Sequence, residues 1–264
     1  MMVSVTERIN QIKQPYGGYV PVSMFTKIKF DGDVCFSECE NIREHLTGTV
    51  VDHLTRFMTG TSKKYAFTSS LVGAAVANDY IGGVLKVSKE LLGGINGLDD
   101  ESIENACELA GFDIWIKYSP MVAMLASALA VTFPQPDSTK IIRKLVERSV
   151  DFFTKHSPVI KTGIIFPPSS PACTAEVDWG VIDFLTEDTI WDMKCYRPST
   201  KISKDDTLQL LMYWIMGQHS GEEIFKGITK IGLYNPRQNV AYILDVSKIP
   251  SEVIREIEEK VICY

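Results

Sequence analysis

The order of short strand-like and helical runs after residue 172 most constrains what this chain can fold into. CTAEV, GVIDFLT and TIWDMKCY are short, and the last two are rich in β-branched and aromatic residues. Those two are separated only by Glu187-Asp188, which is a hairpin signal. A polar loop, RPSTKISKDD, leads into TLQLLMYWIMGQ, which reads as a helix. Two further strand-like runs follow, GITKIGLYN and VAYILDV, joined by a turn at Asn235–Asn239 that contains Pro236. SEVIREIEEKVI closes the chain as an amphipathic helix. Strands interleaved with helices in this order require an α/β fold, with a mixed sheet of about five strands flanked by helices.

The preceding residues read differently. Residues 1–43 are punctuated by Pro15, Gly17, Gly18, Pro21 and Gly32, an irregular arm with one short strand at VSMFTKIKF. Helical signals dominate from Glu44 to His156. Ser119-Pro120 and Asp137-Ser138 read as helix starts, and His156-Ser157-Pro158 as a stop. The expected organisation is a large helical part over 1–160 and a sheet-centred part over 161–264. The first part donates the helix 46–58 to the core of the second, making one compact unit.

Composition narrows the function classes. The 264 residues are 45% hydrophobic and 23% charged, near the soluble globular average. The net charge is -6. Divided at Pro136, the chain carries 11 basic and 15 acidic residues before it and 16 and 18 after it, so neither half is a basic module. A polyanion binder held by bulk charge is disfavoured. The six cysteines are scattered, and MMVSVTERINQIKQP has no apolar core of a signal peptide, so a reduced, cytoplasmic protein is expected. Cys35 and Cys39 form a lone C-x3-C pair, a poor zinc site. The longest apolar run, MVAMLASALAVTF at 121–133, is too short to span a bilayer, and a buried helix is the expectation.

One strand carries the chemistry. Asp192 and Lys194 are two apart and share a face with Ile190 and Tyr196, whereas Trp191, Met193 and Cys195 share the other. Charges inside so apolar a strand are costly unless they pair or bind a metal. The preceding strand brings Asp183, which a short hairpin sets beside Asp192. Two carboxylates and a lysine suit phosphodiester hydrolysis, with a hard cation on the carboxylates and the lysine orienting water or offsetting charge. The plain alternative is a cross-strand ion pair of little energetic weight.

In this order the residues resemble the PD-(D/E)XK nuclease superfamily, closest to its RecB-like branch. Gly180 and Asp183 stand for its Gly-x-x-Asp strand, Asp192 and Lys194 for its Asp-x-Lys strand, and Gln209 and Tyr213 for its Gln-x-x-x-Tyr helix. The resemblance covers about residues 172–246. It implies a restriction-endonuclease-like core and a nuclease dependent on Mg2+ or Mn2+, acting on DNA. Asp183, Asp192 and the Met193 carbonyl would be metal ligands and Lys194 the catalytic lysine. Gln209 and Tyr213 would look at the site or the DNA. RecB-like members also carry an upstream helical ligand in a Gly-x-x-x-His-like pattern. Here GTVVDHLTRF, from Gly48, departs from that spacing by one residue. Leu46, Val50, Leu54 and Phe57 cluster on one helical face, with His53 at its edge and Asp52 nearly opposite. His53 is therefore the preferred inward residue and Asp52 the reserve. The cysteines do not match the family's iron–sulfur pattern, so no cluster is expected.

Arg197, Lys201 and Lys204 line the loop before the Gln209 helix and are the expected phosphate contacts. Lys140, Lys144, Arg148 and Lys155 read as a solvated face, and Glu176 and Asp178 as a solvated edge. A non-catalytic nucleic-acid-binding or assembly protein on the same fold is the second reading, as is delivery of substrate by a protein partner. A small-molecule hydrolase is disfavoured, since no G-x-S-x-G or matching histidine is present.

Overall fold

A computed structural model describes residues 3–264. Its architecture is α/β, with one open mixed sheet of six strands in the order β1–β6–β5–β4–β3–β2. The strands are β1 (Thr26–Lys29), β2 (Val159–Phe166), β3 (Gly180–Thr186), β4 (Thr189–Met193), β5 (Lys230–Asn235) and β6 (Val240–Asp245). The helices are α1 (Val5–Gln11), α2 (Glu44–Met58), α3 (Lys63–Ala66), α4 (Thr68–Asn78), α5 (Val84–Gly94) and α6 (Asp100–Ala110), then α7 (Ile114–Lys117), α8 (Pro120–Leu129), α9 (Pro136–Asp151), α10 (Lys204–His219) and α11 (Ser251–Glu256).

The sheet has six strands rather than about five. β2, β3 and β4 form an antiparallel meander, α10 crosses over, and β5 returns parallel to β4. β6 pairs antiparallel with β5, and β1 from the N-terminal arm completes the edge. The Glu187-Asp188 hairpin forms as its spacing predicts, and Asp188 is held by Lys230 Nζ at 2.6 Å. β4 is buried at every position because it is central and covered on both faces. α10 begins at a reciprocal capping box between Ser203 and Asp206, which satisfies two otherwise free backbone N–H groups.

Two expectations are corrected here. CTAEV is not a strand. Thr174 Oγ1 accepts the amides of Glu176 and Val177, both at 3.2 Å, and Thr174 N donates to Val177 O, closing a turn. The third strand of the meander is instead VIKTGIIF, whose alternation is broken at Gly163. That residue takes φ +58, and the strand also carries a register shift between Val159 and Lys161, a bulge that a period-2 pattern does not register. The apolar run at 121–133 does form a helix, α8, but of that helix only Ala123 is buried. Met121 is 81% exposed and Leu125 65%. Its contact is narrow, a cluster built from Ala74, Ala77, Ala123, Val84 and Trp115.

Two cores flank the sheet. One gathers α1, α10 and the C-terminal helix against Ile182, Leu185, Ile190, Ile231 and Leu233. The other joins α2, α6 and α9 to Phe184, Trp191, Met193, Tyr234 and Ala241. The second core thus takes side chains from both 1–160 and 161–264. Within it Phe152 stacks on Tyr234 and Phe153 on Phe184, each with ring centroids 4.1 Å apart.

Candidate active site

The site forms where β3 and β4 part. Their ladder holds only the pairs Phe184–Trp191 and Leu185–Ile190. Beyond it, Asp183 Oδ2 accepts the Met193 amide at 3.0 Å, a side chain taking the place of a ladder carbonyl. The hairpin therefore sets Asp183 beside the Asp192–Lys194 strand. Asp192 is 5% exposed. Lys194 Nζ lies 3.0 Å from Asp192 Oδ2, yet outside hydrogen-bond geometry, so that buried oxygen has no hydrogen-bond donor.

α10 supplies the opposite wall. Lys194 Nζ donates to Gln209 Oε1 at 2.9 Å. Gln209 Nε2 donates to the Tyr213 hydroxyl at 3.2 Å, as their shared helical face predicts. Tyr196 donates its hydroxyl to Asp206 Oδ1 at 2.7 Å, and Lys194 Nζ stands 3.9 Å from that same oxygen. Asp183, Asp192, Lys194, Gln209 and Tyr213 are thereby brought together. Met193 gives the site its amide, while its sulfur turns to the other face and accepts from Ser149 Oγ.

α2 contributes residues other than the preferred one. His53 is buried on the far side, its Nε2 3.1 Å from Ser69 Oγ and its Nδ1 3.4 Å from Ser70 Oγ. Both serines donate to Asp113. His53 thus points inward as expected, but the α2 residue linked to Asp183 is Asp52, the reserve, and the link runs through Arg56. Arg56 Nη2 bridges Asp183 Oδ1 at 3.0 Å and Asp52 Oδ2 at 2.7 Å, and Arg56 Nε donates to Asp52 Oδ1 at 3.0 Å. The reason is that α2 is buried around most of its circumference, at Leu46, Thr47, Val50, Val51, His53, Leu54, Thr55 and Arg56. A one-face argument fails for a helix with several covered faces. Arg56 was missed, and its signal was the i,i+4 spacing from Asp52.

Burial governs the protonation of these groups. It lifts Asp192 to about 7 against the pull of Lys194, and Asp183 adds repulsion. It lifts Asp52 to about 8, although Arg56 opposes it. Burial works against charge on Lys194, but Asp192, Tyr196 and Asp206 outweigh it and hold the ammonium above its ordinary value. Tyr213 is raised by burial and stays protonated at neutral pH. His53 is lowered to about 4 by burial and is neutral.

Of the expected phosphate contacts, Lys201 and Lys204 are exposed. Arg197 lies against Phe36, 5.3 Å from its ring centroid, and its backbone N–H donates to Glu44. Glu176 pairs with Arg8, and Asp178 accepts from Val3 N. Both tie the N-terminal segment down rather than line the site.

Oxygen donors suit a hard divalent cation, and the Asp192 oxygen without a donor is a buried acceptor of that kind. Among the described residues, however, no three His, Cys, Asp or Glu side chains converge to hold a metal as they stand. Arg56 bridges two of the carboxylates and Lys194 approaches the third. Among the described residues no helix is long and apolar enough to cross a membrane. No protein-family model, curated protein or solved structure matches this chain.

Proposed function

We propose that this chain is a metal-dependent nuclease that hydrolyses phosphodiester bonds of DNA on a restriction-endonuclease-like core. One observation carries the reading. Asp192, Lys194, Gln209 and Tyr213 form a continuous run of contacts, and Asp183 joins it through the Met193 amide. Asp183 and Asp192 would hold Mg2+ or Mn2+, with Met193 and Asp52 adjacent. When bound, such a cation acidifies water and polarises a phosphoryl oxygen. Lys194, kept charged by its carboxylates, offsets negative charge developing on the phosphate. It is not a base at neutral pH. Gln209 holds the ammonium in place, and Tyr213 holds Gln209. Lys201 and Lys204 offer exposed charge to flanking phosphates, with Arg197 behind them. The net charge of -6 makes binding weak and salt-sensitive, or dependent on a protein that delivers the substrate.

The test is cleavage of single- and double-stranded DNA and of RNA with Mg2+ or Mn2+ by the purified protein. No cutting of any substrate refutes the activity, and cutting at an undiminished rate by Lys194→Ala refutes the site. One observation favours a non-catalytic binding protein on the same fold instead: the Arg56 guanidinium already sits on Asp183. A calorimetric titration with no Mn2+ uptake would decide for that reading.

A further inference from the structure

Arg56 is unusual among the charged groups of this chain. It is 9% exposed and crosses from α2 to reach β3. A slot is built for it. Phe184 presents its ring 5.9 Å from the guanidinium carbon. Gly163 leaves the other side open, because a Cβ there would lie 2.7 Å from Arg56 Nη1. The backbone at Gly163 is left-handed, a conformation that favours glycine, so the position that leaves the slot open also disfavours a side chain. Two strand residues and two carboxylates thus hold one guanidinium.

Its position conflicts with a metal. A divalent cation approaches carboxylate oxygens to roughly 2.0–2.6 Å. Arg56 Nη2 is 3.0 Å from Asp183 Oδ1 and 2.7 Å from Asp52 Oδ2. A cation on Asp183 Oδ1 would stand within a few ångströms of a delocalised positive charge, in surroundings where charges are poorly screened. The Met193 amide occupies the other Asp183 oxygen. Asp192 Oδ2, in contrast, is buried without a hydrogen-bond donor, although the Lys194 ammonium stands 3.0 Å from it.

We propose that Arg56 is a built-in placeholder for the divalent cation, so that the guanidinium and the metal exclude one another at Asp183. The proposal rests on the nuclease reading and concerns how its site is loaded. In the metal-free protein, Arg56 bridges Asp52 and Asp183 and offsets the repulsion between them. Loading releases it from Asp183, and the guanidinium becomes a free cation beside the site.

Mn2+ binding by calorimetry, on wild type and Arg56→Gln, tests this. Gln is neutral and of similar length, and circular dichroism checks that the variant folds. Removing the competing charge is expected to tighten Mn2+ binding roughly tenfold or more. Equal or weaker binding by the folded variant overturns the proposal and leaves the nuclease reading standing. Uptake of Mn2+ by neither protein overturns both. A crystal of the wild type soaked in Mn2+ gives a readout that does not depend on the variant folding. Density on Asp183 and Asp192, with Arg56 turned off Asp183, supports the placeholder. Metal bound with the Arg56–Asp183 contact intact overturns it.

Discussion

Lys194 donates its ammonium to the amide oxygen of Gln209 at 2.9 Å. The amide is fixed in that sense because its nitrogen donates to the Tyr213 hydroxyl and to Thr6 Oγ1, both at 3.2 Å. The ammonium is thus aimed from α10, while its charge is sustained by Asp192 and Asp206. In the proposed nuclease Gln209 would act through Lys194, as a positioning residue.

Substitutions at this pair separate the two roles. Lys194→Ala is expected to slow DNA cleavage roughly 10²–10³-fold, the usual cost of losing one charge-stabilising donor. Gln209→Ala is expected to slow it about tenfold with Mn2+ affinity unchanged. Gln209→Glu keeps the acceptor and should recover most of that loss. Single-turnover cleavage and calorimetry on each variant check this. A Gln209→Ala enzyme that cuts at the wild-type rate removes the positioning role.

Metal affinity should depend on pH through Asp192. Burial holds this carboxyl at about 7, and only the ionised form binds a cation. Mn2+ affinity is therefore expected to fall as pH drops through about 7, approaching tenfold per pH unit below it. The effect on stability has the opposite sense. A carboxyl raised in the folded state favours folding in acid, and that contribution is lost as pH rises through the folded value. Calorimetry between about pH 8 and 6 should follow the first trend. A flat profile would remove Asp192 from the ligand set.

His53 has an effect on stability of the reverse sign. Burial lowers its value from 6.5 to about 4, so the unfolded chain takes up the proton first. Its contribution is complete above about 6.5 and is lost as pH falls towards 4, amounting to about 3 kcal/mol. His53→Gln should therefore lose less stability than wild type over that interval in urea unfolding. Parallel pH profiles for the two proteins would show that His53 is not buried as a neutral ring.

Arg237 is fully buried and binds Glu40 through two hydrogen bonds, at 2.9 and 2.7 Å. It also donates to the carbonyls of Cys195 and Cys35. Arg237→Ala should cost about 3–5 kcal/mol, because Glu40 is left as an uncompensated buried charge. Arg237→Met combined with Glu40→Leu should recover part of that loss. Chemical denaturation of the three proteins decides it, and a loss below about 1 kcal/mol for the single variant would contradict the burial.

What the residues determined alone was local. The Glu187-Asp188 hairpin, the crossover helix and the β5–β6 pair follow from neighbours in the chain, as does the shared face of Gln209 and Tyr213. Period and turn chemistry act over a few residues and are legible without the fold. The tertiary structure decided the rest. It chose VIKTGIIF over CTAEV as a strand, because pairing with β3 tolerates the register shift between Val159 and Lys161 while Thr174 closes a turn. It left α8 exposed, with only Ala123 of that helix buried in the small cluster beneath it. It set Arg56, paired with Asp52, rather than His53 against Asp183 on β3. A helix covered on several sides has no single inward face, and which of its residues meets Asp183 depends on packing between elements more than a hundred residues apart.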